Sequence, residues 1–196
     1  ALLSALSVTK GTQNFTNTQL AEFLDENGIK LSLSSGNDIF SILLQTTKDN
    51  LDKAFVVLDE ILNKPIFPDN EILKVKNLKI QELKAISDNP SSFVFDEFKK
   101  LAYQNSIYGQ NSKFILDNIN KVTRDDIVEY YSRIIDPENM NIAVVGDIDE
   151  EEIAQKFQNI LKKNPKGTKF AFNKVNYSQF RPQKNLETTI FKNEVQ

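Results

Sequence analysis

Carboxylates are the chemically active groups of this sequence. They gather at Asp147, Asp149, Glu150, Glu151 and Glu152, and a further one, Glu82, shares a helical stripe with Val75, Leu78 and Ile86. Histidine and cysteine are both absent from the 196 residues. Any transition-metal site would therefore rest on carboxylates alone, a donor set better suited to magnesium or calcium than to zinc. The run from 147 to 152 reads as the start of a helix, where negative charge suits the helix dipole. For Glu82 the reading from the residues is a carboxylate at the edge of a solvated face. No catalytic metal or neutral-pH acid-base pair is expected from this chain by itself.

Bulk properties narrow the classes further. With 40% hydrophobic residues the chain has enough apolar material for a sizeable core and reads as globular. A net charge of -3, from 24 basic and 27 acidic residues, gives no attraction for nucleic acid, and no basic cluster is interleaved with aromatics. No apolar run reaches the roughly 20 residues that cross a bilayer. Lack of cysteine excludes a disulfide framework and fits either redox environment. Composition leaves the compartment open, and a periplasmic or other extracytoplasmic, or organellar, location is the expectation.

The elements follow from periodicity and punctuation. Leu2, Leu3, Leu6 and Val8 read as the tail of an apolar helix closed by Lys10 and Gly11, in preference to a remnant signal peptide. A short helix over residues 17–27 stops at Asn27-Gly28. Alternation over Ile29, Leu31 and Leu33, a Ser35-Gly36-Asn37-Asp38 turn and a second run from Ile39 to Thr46 predict a β-hairpin. Leu51, Ala54, Phe55, Leu58, Ile61 and Leu62 define an amphipathic helix that ends before Pro65. Asp69 is placed as the cap of a long helix to about Ser87, Asn89-Pro90 opens another to about Tyr103, and Thr123 with Asp126 has capping-box spacing. Met140–Val145 reads as a buried strand, and Asp149 with Glu152 caps a final helix. The sum is an α+β fold over residues 1–165, an antiparallel sheet covered by several helices, followed by a polar linker over 166–196.

This order, with its motifs, resembles the pitrilysin/insulinase superfamily of metallopeptidases, which includes mitochondrial processing peptidases and core subunits of the respiratory cytochrome bc complex. The similarity is carried by Asn50-Leu51-Asp52-Lys53-Ala54 through Leu58-Asp59-Glu60-Ile61-Leu62-Asn63-Lys64-Pro65-Ile66-Phe67-Pro68. It is carried also by Asn139-Met140-Asn141-Ile142-Ala143-Val144-Val145-Gly146-Asp147-Ile148-Asp149. Active members place H-x-x-E-H on a helix shortly before a Gly-Thr pair, two histidines holding zinc and the glutamate polarising water. Counted back from Gly11, those positions fall on Leu2, Ala5 and Leu6, which read as core packing where zinc would sit. The further family ligand, a glutamate, lands on Glu82 or on Gln81 according to the placement of a gap. A relict or substrate-facing carboxylate is the resemblance-based reading of that position. Tyr108-Gly109 stands where family members often have Pro-Tyr-Gly; a substrate contact competes there with a packed aromatic, since no arginine lies nearby.

The resemblance implies one half of a two-half architecture that closes around a peptide chamber, without the opening strands of such a half and with the tail leading toward a following half. The expected function is a non-catalytic domain that forms part of that chamber and supports an active zinc-bearing half or partner subunit. Unfolded peptide is a further candidate partner. A structural core-type scaffold is the alternative, as is a fragment of an active metalloendopeptidase whose zinc site lies outside these residues. No cofactor is expected in this chain, although active family members carry zinc.

Overall fold

Small and apolar residues open the chain as α1 (Leu2–Ser7), which tightens into a 3-10 turn over Val8–Lys10. Lys10-Gly11 therefore closes that tighter turn, not the α-helix itself. The computed structural model describes residues 1–104 and 106–162. α2 (Asn17–Glu26) starts at a capping box: the Gln19 N–H donates to the Thr16 hydroxyl at 3.3 Å, and the Thr16 N–H donates back to the Gln19 side chain at 2.9 Å. Gly28, at φ +61°, turns the chain out of it.

The predicted hairpin forms as β1 (Lys30–Ser35) and β2 (Phe40–Gln45), paired antiparallel with Leu31 opposite Leu44 and Leu33 opposite Ile42. Leu31, Leu33, Phe40, Ile42 and Leu44 pack on the core, while Lys30, Ser32, Ser34, Ser41, Leu43 and Gln45 face out. A register slip of one residue would reverse that arrangement, so burial fixes the pairing.

α3 (Leu51–Asn63) supplies the centre of the core through Ala54, Val57 and Ile61, each at most 1% exposed. Its last carbonyls lie beyond the reach of intrahelical donors. One of them is satisfied from afar: the Tyr131 hydroxyl donates to Ile61 O at 2.6 Å. The link to α4 (Asp69–Ile86) bends sharply at Phe67, a buried non-glycine residue at φ +47°. Arg124 holds that bend, donating to the carbonyls of Phe67 at 3.0 Å and Ile66 at 2.9 Å. Asp69 is the first residue of α4, since Ile72 N–H already donates to Pro68 O at 2.9 Å.

The chain divides into two compact units, 1–81 with 118–162 and 82–117 among the described residues. The first holds α1 to α3, the hairpin, α7 (Arg124–Ile134) and α8 (Glu150–Leu161). Its core gathers Val8, Leu20, Val57, Ile61, Phe67, Ile127 and Tyr131. The second holds α5 (Pro90–Ala102), capped by Asn89 as expected, and most of α6 (Ser112–Ile119), which the sequence reading missed. Asn111 caps α6 by accepting the Phe114 N–H at 3.0 Å, and the buried Asp96 accepts from Ser112 N at 2.8 Å.

This is an α+β architecture, mostly helical with a two-stranded antiparallel sheet among the described residues. Met140–Val145, expected as a buried strand, is not buried and, among the described residues, not paired. Met140 alone packs on the core, and Val145 is 99% exposed. Strand character depends on a neighbouring ladder, and among the described residues none adjoins this segment. The segment expected as a linker, 166–196, lies outside the described residues.

Candidate functional site

The loop between α1 and α2 is where the sequence comes closest to a site, and it is stitched to the end of α3 by main-chain bonds. Thr12 N–H donates to Phe15 O at 2.8 Å, Gln13 N–H to Lys64 O at 2.9 Å and Ile66 N–H to Gly11 O at 3.1 Å. Isolated β-bridges join Gly11 to Thr16 and Thr12 to Pro65. Side chains complete the attachment around Glu60, a carboxylate only 1% exposed. Thr12 Oγ1 donates to its Oε2 at 2.6 Å, Asn14 Nδ2 to its Oε1 at 2.7 Å, and Lys64 Nζ to Oε1 at 2.6 Å. A surface groove beside this cluster is lined by Asn14, Phe15, Phe55, Val56, Lys156 and Asn159.

Burial pushes the Glu60 carboxyl up, but the hydrogen bonds from Lys64, Thr12 and Asn14 outweigh it and hold the group below its ordinary value. Asp96 in the second unit follows the same pattern, burial opposed and overcome by Ser112 and Lys99. A depressed carboxylate contributes stability above its unfolded pKa, and that contribution disappears as pH falls through the folded value. The urea midpoint is expected to hold from about pH 7 to 5 and to drop once pH falls below ~4. A midpoint that stays flat down to about pH 3 would contradict these assignments.

Glu60 was not among the candidates drawn from sequence. The available signal was a carboxylate sharing the buried face of α3 with Val57 and Ile61, four residues ahead of a lysine. A buried carboxylate already saturated by donors is a clasp and not a general base.

The degenerate zinc-motif positions lie on α1. Ala5 is buried at 4%, Leu2 is half-buried, and Leu6 is 37% exposed. Core filling therefore falls to Leu3, Ser4, Ala5 and Ser7, because Leu2 and Leu6, four residues apart, occupy a different ridge of the helix. Ser4 Oγ lies 3.4 Å from Ile127 O, and Ser7 Oγ is buried without a partner among the described residues. Among the described residues neither serine is hydrogen-bonded to a basic side chain. Gln81 and Glu82 are both exposed residues of α4; Gln81 belongs to the first unit and Glu82 to the second. Tyr108, also in the second unit, is half-buried with its ring 6.2 Å from that of Tyr103. Gly109 permits this turn, since a Cβ there would fall 2.3 Å from Tyr103 O.

Zinc does not fit the residues present. The three motif positions are aliphatic, and among the described residues no three Asp or Glu side chains gather closely enough to hold a metal ion. Nor is any helix among the described residues long and apolar enough to cross a membrane.

Comparison with known proteins places these features in context. Residues 4–112 match the family described as Insulinase (Peptidase family M16), and residues 121–196 match the Peptidase M16 inactive domain. An uncharacterized zinc protease of Rickettsia bellii is 24% identical over 168 residues, covering 86% of this chain and 41% of that protein. The non-peptidase homolog YmxG of Helicobacter pylori is 24% identical over 172 residues, covering 85% of this chain and 39% of its own. The crystal structure of a peptidase M16 inactive domain from Pseudomonas fluorescens superposes with a TM-score of 0.80 at 20% identity, covering 87% of this chain and 42% of that one. The chain thus spans about two fifths of the length of the curated relatives it matches.

Proposed function

The chain belongs to the insulinase (peptidase M16) family, and from that premise we propose that it is a non-catalytic, peptidase-like half that forms part of a peptide-binding chamber and supports a zinc-bearing half or partner subunit. The observation that carries this reading is α1 itself. It stands just before the Gly11-Thr12 loop and offers Leu2, Ala5 and Leu6 at the positions where active relatives need two histidines and a glutamate. The Gly11-Thr12 loop that follows those positions is tied to α3 through Glu60. Architecture without ligands is what a wall of a chamber requires.

On this reading residues 1–165 form the half-domain and 166–196 lead toward a following half, while Glu82 and Tyr108 are left with packing or peptide-contact roles. A periplasmic or organellar setting suits the reading. Elemental analysis of the purified chain is expected to find zinc far below one equivalent, with no hydrolysis of unfolded peptide and no response to chelators. One equivalent of zinc surviving dialysis would overturn the proposal. Titration with a fluorescent, unfolded, presequence-like peptide is expected to saturate; no binding, even with an active partner present, would favour a scaffold instead.

A further inference from the structure

The groove beside Glu60 has an apolar floor and an acidic edge. Phe15, Phe55 and Val56 line it, and Val56, in the middle of α3, is 47% exposed. Three carboxylates, Asp52, Asp59 and Glu60, stand among its lining residues against two lysines, Lys64 and Lys156. Both lysines are engaged: Lys64 meets Asp59 at 2.9 Å and Glu60 at 2.6 Å, and Lys156 meets Asp52 and Glu152. The Asp52 side chain is nevertheless 83% exposed, which leaves room for a further cation. One polar atom here is unsatisfied as well. Asn63 donates to Asp59 Oδ1 at 2.7 Å and to Ile160 O at 3.2 Å, while its own buried Oδ1 has no partner among the described residues. Buried acceptors are rarely left so.

Asn159 and Ile160, in the last turn of α8, belong to the groove wall, so the segment after Lys162, which lies outside the described residues, departs from that wall. Residues 162–171 carry lysines at 162, 163, 166 and 169 and no carboxylate, and Phe170 follows the last of them. Asn164-Pro165-Lys166-Gly167 has Asn, Pro and Gly at the first, second and fourth places of a type I turn, the arrangement that reverses a chain. Residues 167–171, extended at about 3.3 Å each, span roughly 16 Å, against about 12 Å of helix between Lys64 and Val56.

We propose that residues 163–171 double back after α8 and occupy this groove, with Phe170 on the floor formed by Phe55 and Val56 and the lysines beside Asp52 and Asp59. An occupant tethered within about ten residues closes its loop at small entropic cost and is present at high effective concentration, which favours it over a free peptide. Its main chain also brings N–H donors within reach of an idle acceptor such as Asn63 Oδ1. The inference stands whether or not the chamber reading is correct.

The absence of Cys and Trp makes the segment easy to follow in the 196-residue chain. Val56→Cys with Phe170→Cys, treated with a short bis-maleimide, is expected to cross-link within one molecule ~10-fold or more faster than Phe170→Cys paired with Ser34→Cys on the outer face of the hairpin. Equal rates with the two partners would overturn the proposal. Links between molecules that grow with concentration would assign the groove to a second copy and would also overturn it. As an independent check, Phe170→Trp introduces a single indole, which should emit at shorter wavelength than in the urea-unfolded chain. Adding Val56→Lys should return the band to the unfolded position while the far-UV circular dichroism stays unchanged. Emission at the unfolded wavelength from the folded Phe170→Trp chain, or a blue shift that arises only on adding unfolded casein, would contradict the inference.

Discussion

Glu60→Ala is expected to lower the unfolding free energy by about 3 kcal/mol, since hydrogen bonds to a charged group contribute roughly 1.5–3 kcal/mol each and several end on this carboxylate. The loss does not come from Lys64, which is partly exposed and can turn to water. It comes from Thr12, 3% exposed, whose hydroxyl is left without its acceptor, and from the loop over residues 11–16, which loses its side-chain attachment to α3. Glu60→Gln keeps an acceptor oxygen and the volume, so it should cost less than half as much. Urea unfolding of the two variants checks this. Equal losses would mean that charge, and not hydrogen bonding, dominates the clasp.

Tyr131→Ala carries the other large effect, about 4 kcal/mol, in the range for removing a buried aromatic side chain. Its ring is 3% exposed and meets Phe67 edge-on at 5.3 Å and Phe40 at 6.0 Å, so one side chain joins α7 to the hairpin and to the bend after α3. The hydroxyl satisfies a terminal carbonyl of α3, and burial holds it firmly protonated. Tyr131→Phe keeps the ring contacts and gives up only that bond, at a cost of about 1 kcal/mol. Thermal denaturation of both variants separates packing from hydrogen bonding; a Phe variant as unstable as the Ala variant would show that the ring contacts matter little.

Local signals were legible wherever one residue type does one job. Thr123 and Asp126 cap α7 in a reciprocal box, Asn89 caps α5 ahead of Pro90, and the alternating hairpin pairs as its leucines require. What escaped depends on distant partners. The start of α6 is fixed by Asp96, sixteen residues earlier, and nothing inside Ser112–Ile119 announces that help. Val144 and Val145 carry strand propensity, yet a strand needs a neighbour and the sequence does not say where it comes from. The site shows the same division. The missing histidines were plain from composition, whereas the outward placement of Leu6 and the saturated Glu60 depend on which ridge of each helix the core occupies.

The bend at Phe67 bears on the order in which the chain assembles. A non-glycine residue at positive φ is disfavoured in a free peptide, so the corner between α3 and α4 gains little from its own sequence. Its stabilising partner, Arg124, arrives from 57 positions downstream. The corner therefore belongs to the late stage of folding, when distant contacts have already formed, and mutations at either residue should accelerate unfolding while barely slowing refolding.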